Sequence, residues 1–126
     1  MQTECVSEYV KLHEVVYPCT VSLTMGLVGG KWKAVILYHL KDDAKRYHEL
    51  RKEIPAITEM TLSLQLKQLE KDGLVSRAVY GEKPPIKVVY GLTDFGKTFV
   101  PVLEAITAWG NQVVREKGEF VSVGQR

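Results

Sequence analysis

Residues 58–73, TEMTLSLQLKQLEKDG, carry the clearest structural signal of the sequence. Leu62, Leu66 and Leu69 recur within it at the spacing of one helical face. This spacing predicts an amphipathic helix over residues 59–72 with the three leucines buried.

Both ends of this helix carry matching signals. Thr58 is a residue type that caps helix N-termini, and Gly73 is the residue type that most often ends helices. With the leucines buried, polar, basic and apolar side chains share the outward face: Met60, Thr61, Ser63, Leu64, Lys67, Gln68 and Lys71.

Upstream, the apolar spacing predicts helices over residues 20–28, 31–40 and 46–53. Gly29-Gly30, Asp42-Asp43 and Pro55 end them in turn. Residues 3–16 are expected to form a further helix, which Pro18 interrupts.

Downstream, the period changes. Residues 74–80 and 86–92 are rich in β-branched and aromatic side chains, and a Gly/Pro turn over residues 81–85 separates them, which predicts a β-hairpin. Thr93 then caps a long helix that runs from Asp94 to about Lys117, with a kink at Pro101.

This order of elements predicts a mainly α fold with a small β-hairpin wing, a winged helix-turn-helix with N- and C-terminal dimerisation helices. The chain of 126 residues suits a single domain. We expect an N-terminal arm over residues 1–18, the winged core over 19–92, and a C-terminal dimerisation helix and tail over 93–126.

Charge is concentrated in the middle of the chain. The net charge is only +2, but residues 31–97 hold thirteen Lys or Arg against nine Asp or Glu. Residues 1–30 hold three acids and one base, and residues 98–126 hold three of each. A basic centre suits a polyanion such as nucleic acid, although a solvated surface with a mild bias looks the same.

The outward face of the helix over residues 58–72 is the candidate site for double-stranded operator DNA, since a helix-turn-helix places such a face in the major groove. Gln68 suits adenine, Thr58, Thr61 and Ser63 suit base edges or phosphate, and an exposed Leu64 suits a thymine methyl. Lys67 and Lys71 suit phosphate. An ordinary amphipathic helix with a solvated face is the alternative.

Basic residues elsewhere extend this candidate site. The predicted hairpin carries Arg77, Lys83 and Lys87, which suit phosphates along the wing or simply keep a solvated hairpin soluble. Lys31 begins a helix just after Gly29-Gly30, where a phosphate contact is a secondary possibility beside a structural tight turn.

Nothing in the sequence predicts an enzyme. It lacks the G-x-S-x-G, H-E-x-x-H and phosphate-loop patterns. The two cysteines and three histidines lack zinc-site spacing, so we expect no metal and no cofactor. No apolar run approaches the ~20 residues that span a bilayer, and no signal peptide is evident, so a cytoplasmic location is the expectation.

The C-terminal helix carries a wide apolar stripe, which includes Phe99, Leu103, Ile106 and Trp109. Pairing this stripe with the N-terminal arm across a two-fold axis would bury it, so we expect a homodimer. Packing of the stripe on its own winged core is the alternative.

Cys19 precedes the helix that begins at Thr20. A thiol at a helix N-terminus can have a lowered pKa and react with oxidants. The alternative is a small buried hydrophobic residue.

Several motifs in order resemble the signature of the HxlR-type regulators. They are Cys19-Thr20-Val21, Gly29-Gly30-Lys31-Trp32-Lys33, Arg46-Tyr47-x-Glu49-Leu50-Arg51, Leu62-x-x-x-Leu66-x-x-Leu69-Glu70-x-Asp72-Gly73-Leu74-Val75, Pro84-Pro85, and Val89-Tyr90-x-Leu92-Thr93-x-x-Gly96. The match covers about residues 19–110.

The resemblance implies a prokaryotic winged-helix dimer that binds operator DNA, and a cysteine at the position of Cys19 that senses oxidising or thiol-reactive compounds. Four residues depart from the family's usual pattern. Glu59 and Met60 replace basic or polar residues, Leu64 replaces a glutamine and Gln65 an arginine. These changes remove positive charge from the face that should meet DNA.

Two other functions stay open. A winged-helix module that has lost DNA binding would use Met60 and Leu64 to bind a protein partner. A regulator that senses a small molecule would line a pocket between the dimer arms with aromatic residues: Tyr9, Trp32, Phe99 and Trp109.

Overall fold

A computed structural model describes residues 9–122 of the chain. Six helices and five strands lie in these residues: β1 Val10–Leu12, β2 Val15–Tyr17, α1 Thr20–Val28, α2 Lys33–Leu40, β3 Lys45–Arg46, α3 Tyr47–Glu53, α4 Glu59–Lys71, β4 Val75–Tyr80, β5 Lys87–Leu92, α5 Asp94–Lys97 and α6 Val100–Lys117.

The helices α2, α3 and α4 pack around the core. Leu62, Leu66 and Leu69 of α4 are at most 1% exposed, so the predicted buried face is confirmed. They join buried residues from every neighbouring element: Val28, Ile36, Leu37, Leu40, Leu50, Ile54, Ile57, Leu74, Val75 and Leu103.

The ends of α4 follow the local signals. Thr58 is the N-cap, and its side-chain oxygen accepts a hydrogen bond from the backbone N–H of Thr61 at 3.1 Å. Gly73 follows the helix with φ +80°, a conformation that glycine adopts without a steric penalty. Both assignments made from the sequence are confirmed.

The predicted hairpin forms the wing. Strands β4 and β5 pair in antiparallel register from Val75 opposite Leu92 to Tyr80 opposite Lys87. A third strand, β3, pairs with β5 on its other side, giving the order β3-β5-β4. The sequence did not predict β3, because only its pairing with β5 makes this two-residue segment a strand.

The C-terminal helix begins as predicted but is divided. Thr93 caps α5 by accepting a hydrogen bond from the N–H of Gly96 at 2.8 Å, and its hydroxyl donates to the carbonyl oxygen of Gly73. The helix breaks after Lys97 and restarts as α6, with Pro101 in the first turn. Proline is tolerated there because first-turn N–H groups lack helical partners.

The predicted N-terminal helix is wrong over the described residues. Strands β1 and β2 form a hairpin that packs on α1, with Val10 opposite Tyr17. His13 and Glu14 make its two-residue turn, and both have positive φ, which matches the twist of a hairpin. Residues 3–8 of the predicted helix lie outside the described residues.

Within residues 9–122, no helix combines the length and the apolar character needed to cross a membrane.

Candidate DNA interface

One stripe of α4 points away from the core. Met60, Leu64, Lys67 and Lys71 are all exposed, and their spacing places them along one side of the helix. Met60 is 83% exposed and Leu64 is 51% exposed. The stripe is therefore apolar over the first two turns and cationic over the last two.

The other predicted residues of α4 are less accessible. Thr61, Ser63 and Gln68 are partly buried beside the stripe, while Thr58 is exposed. The hydroxyl of Thr58 accepts from the Thr61 N–H and donates to the Thr61 hydroxyl at 2.9 Å. The structure thus places Thr58, Thr61 and Ser63 at the start of α4 and Gln68 near its end, but the Thr58 hydroxyl already serves as a helix cap.

Tyr47 of α3 is hydrogen-bonded to the start of α4. Its hydroxyl donates to the backbone oxygen of Glu59 at 3.0 Å and lies 3.1 Å from the hydroxyl oxygen of Ser63. Because the phenol proton goes to the carbonyl, Ser63 is the donor in the second bond. Sequence reasoning missed this role of Tyr47, since the partners are 12 and 16 residues away.

The carboxylate of Glu59, at the start of α4, forms an ion pair. It lies 3.5 Å from the guanidinium of Arg51, which belongs to α3. The pair offsets the negative charge that the sequence places at the start of α4, where the helix dipole also favours a carboxylate.

The basic residues of the wing are exposed but do not share one face. Lys87 lies opposite Tyr80, whereas Arg77 lies opposite Tyr90 and belongs to the alternate set of side chains. Because side chains alternate across a strand, Arg77 and Lys87 point to opposite faces of the hairpin. Arg77 and Lys87 therefore belong to different faces of the wing, and Lys83 lies in the turn between its two strands.

A cleft of about 250 Å³ separates the wing from the start of α3. Its lining comes from both elements: Arg46, Tyr47, His48, Ile86 and Val88. Arg46 thus adds a cation between α3 and the wing that the sequence-based site did not include.

Lys31 belongs to no helix or strand and follows α1 in the chain. It is exposed in the turn before α2, and its ammonium lies 5.1 Å from the ring centroid of Trp32, a cation–π contact.

A charged cluster ties the wing sheet to the helices. Glu53 of α3 accepts from Lys45 of β3 at 2.7 Å and pairs with His39 of α2 at 2.8 Å. The hydrogen bond from Lys45, followed by that from His39, holds the pKa of Glu53 below its usual value. The same hydrogen bond raises the pKa of Lys45.

Cys19 is the N-cap residue of α1 and is 5% exposed. It is disulfide-bonded. The other cysteine of the sequence, Cys5, lies outside the described residues.

An apolar face of α6 is left uncovered. Trp109 is 69% exposed, Ile106 45% and Val102 43%. Beside it, an open groove of about 250 Å³ runs between α2 and α6, lined by Ala34, Val35, Tyr38, Leu103, Ile106 and Thr107. None of the four aromatic residues considered for a sensing pocket lines this groove; Trp32 and Phe99 pack against the core instead.

Helices α2 to α4, with one exposed face on α4 and a hairpin directly after it, define a winged helix-turn-helix protein. Residues 27–118 match the HxlR-like helix-turn-helix family, and the chain belongs to this family of transcriptional regulators. The predicted winged helix-turn-helix and the predicted family are confirmed.

Known relatives align over most of the chain. The HTH-type transcriptional regulator YdeP of Bacillus subtilis is 49% identical over 94 residues, which are 75% of this chain and 73% of YdeP. The oxidised form of the redox regulator HypR has 45% identity and a TM-score of 0.71, covering 75% of this chain and 96% of HypR.

A third relative is more distant. The reduced form of the transcriptional regulator YodB from B. subtilis has 33% identity and a TM-score of 0.65, covering 74% of this chain and 90% of YodB.

Proposed function

We propose that this chain is a homodimeric regulator that binds operator DNA sequence-specifically, with α4 in the major groove and the wing along the backbone. The observation that carries the proposal is the exposed stripe of α4, since a family helix-turn-helix presents this face to base edges. Such a regulator acts where the DNA is, in the cytoplasm of a prokaryotic cell.

Phosphate affinity comes from exposed cations around α4. Lys67, Lys71, Lys83 and Lys87 form no ion pair among the described residues, so their charges are available for phosphates. Arg77 is assigned a secondary phosphate role because it lies on the wing face opposite Lys87, and Lys31 because its ammonium already contacts the Trp32 ring.

Base contacts come from the first three turns of α4. Gln68 suits adenine, and the Thr61 hydroxyl keeps its own proton for a donor role. The hydroxyls of Thr58 and Ser63 hold the helix in place and reach DNA only as acceptors or through water.

The uncovered face of α6 supports the homodimer. Exposed tryptophan, isoleucine and valine side chains along one helix form the kind of surface that a second copy buries. A two-fold dimer would also present two α4 helices to a palindromic site.

The test is selection of binding sites from random duplex DNA, followed by gel-shift titration at several salt concentrations. We expect a palindromic site whose binding weakens steeply with salt. Lys67→Glu should abolish the shift. Lys97→Glu is the matched control, because it makes the same change in net charge beside Gly91 and Leu92, at the strand end opposite the wing turn.

Absence of any selected site at low salt would overturn DNA binding and favour the alternative function, a winged-helix module that binds a protein. The exposed Met60 and Leu64 favour that alternative. It predicts a protein partner that is lost on Leu64→Glu, without a DNA shift.

Redox regulation through Cys19 is the second part of the proposal. The disulfide at Cys19 supports it. So do relatives whose structures are described as the oxidised and reduced forms of the redox regulator HypR, and as YodB treated with diamide or bound to a quinone. Forming the disulfide from two thiols passes two electrons to the oxidant and releases two protons.

The redox test compares the DNA affinity of the reduced protein and the diamide-oxidised protein. We expect a difference of at least about tenfold, the scale of a 1.4 kcal/mol coupling. Cys19→Ser should remove the difference while retaining DNA binding. Equal affinities of the two wild-type forms, with the disulfide verified by mass spectrometry, would contradict redox control.

A further inference from the structure

Two large apolar side chains lie where α4 should read bases. Met60 and Leu64 are four residues apart, so they adjoin on one face of the helix. They are 83% and 51% exposed. We call this pair the apolar patch.

Three polar groups beside the apolar patch are engaged within the protein, whereas the Thr61 hydroxyl accepts from Thr58 and keeps its own proton. The Thr58 hydroxyl caps α4, the Ser63 hydroxyl bonds to Tyr47, and the Glu59 carboxylate lies against Arg51. Hydrogen-bond readout by the first two turns is therefore limited, and apolar contact is the main means of recognition that this surface offers.

The charge pattern favours DNA over a protein as the occupant. The same stripe continues from the apolar patch into Lys67 and Lys71, both exposed. A helix inserted in the major groove contacts bases through its first turns and phosphates through flanking cations. An apolar start followed by lysines matches that arrangement.

We propose that Met60 and Leu64 recognise the 5-methyl groups of thymines in each half-site. Among the four bases, thymine presents an apolar group, its 5-methyl, in the major groove. The hydrogen-bonding groups of the groove would not match these two apolar side chains. The inference rests on the proposed DNA-binding function and specifies its target: neighbouring thymines at the centre of each α4 contact, read by their methyl groups.

The experiment replaces each thymidine of one selected half-site by deoxyuridine, one position at a time. Deoxyuridine keeps the hydrogen-bonding groups and lacks only the methyl. We expect wild-type affinity to fall about three- to tenfold at the contacted positions, the effect of losing one buried methyl contact, and to stay unchanged elsewhere.

Variants then assign the effect. Each variant, Leu64→Ala and Met60→Ala, should become insensitive to deoxyuridine at one of the sensitive positions. A double-mutant cycle between the side chain and the thymine methyl measures this as a coupling energy. Lys67→Ala is the control: it should weaken binding to both duplexes by the same factor. Both residues of the apolar patch are exposed, so their truncation leaves the core intact.

The outcomes separate this inference from the proposed function. A selected site whose binding is indifferent to every deoxyuridine substitution overturns methyl recognition and leaves DNA binding in place. A methyl effect that persists in both alanine variants overturns the assignment to Met60 and Leu64. Failure to select any site overturns both proposals and leaves the apolar patch to a protein partner.

Discussion

Truncation of one exposed side chain on α6 tests the dimer. Trp109 is 69% exposed. A tryptophan offers up to about 250 Å², so roughly 170 Å² of it faces solvent in a single chain. At about 25 cal/mol per Å², burying this surface contributes about 4 kcal/mol per protomer as an upper limit. Trp109→Ala removes this contribution from both protomers, because a two-fold interface contains each residue twice.

Measured truncation effects at interfaces are smaller than area estimates, about 2–4 kcal/mol for a central residue. We therefore expect Trp109→Ala to raise the monomer–dimer Kd at least about 100-fold, equivalent to about 2.8 kcal/mol. Sedimentation equilibrium over a range of loading concentrations measures this change.

The control is Tyr80→Ala, which truncates another aromatic residue of similar exposure, 57%, on the wing. It should leave the dimer Kd unchanged. The reasoning is refuted if Trp109→Ala dimerises like the wild type, or if the wild type is a monomer at micromolar concentrations.

Three further substitutions test the fold. Gly96→Ala would place a Cβ only 2.1 Å from the backbone oxygen of Leu74, so α5 must shift, and we expect a loss of about 1–3 kcal/mol in chemical denaturation. Thr58→Ala removes the cap of α4 and should lower the free energy of unfolding by about 1 kcal/mol. Glu53→Gln should reduce the loss in the free energy of unfolding that acid pH causes, measured by urea titration, by at most about 1 kcal/mol. The lowered pKa of Glu53 means that its pairing with Lys45 stabilises the fold above about pH 4.5, and that this is lost as the pH falls through the folded pKa.

Each of these has a control. Gly118→Ala meets only ordinary contacts of 3.6 Å or more and should be nearly neutral. Thr58→Ser keeps the capping hydroxyl and should retain most of the stability. Glu70→Gln removes an exposed carboxylate without an ion pair among the described residues and should leave the acid limb unchanged. Equal effects of a substitution and its control would contradict the corresponding contact.

Local signals predicted the elements that depend on them. The leucine spacing of α4, its threonine cap and the glycine after it lie within sixteen consecutive residues, so a single stretch determines the helix and its buried face. The wing strands followed similarly from their β-branched residues and the Gly/Pro turn.

Elements that depend on distant partners were missed. The N-terminal hairpin has a turn of His13 and Glu14, which are not typical hairpin-turn residues, and its valines fit a helix as well as strands. Packing on α1 decides between them: Tyr17 lies so close to Gly26 that a Cβ there would be 2.9 Å from its ring. A local pattern cannot show such a contact.

The candidate site divides in the same way. Which residues face outward from α4 followed from the helical period, and the exposed Met60, Leu64 and Lys67 agree with it. The helical period could not show which polar groups are already hydrogen-bonded, because Tyr47 reaches Ser63 from a different helix. The sequence therefore overestimated the hydroxyls available to DNA.

Photo-crosslinking from α4 determines whether this helix enters the major groove of the operator. With p-benzoylphenylalanine in place of Leu64, and protein above the variant's own Kd for the selected duplex, we expect an ultraviolet-induced adduct with DNA, mapped to thymines of the half-site. The same group in place of Trp109 should crosslink to a second copy of the chain and not to DNA. An adduct with DNA from position 109 but none from position 64 would contradict the placement of α4 in the major groove.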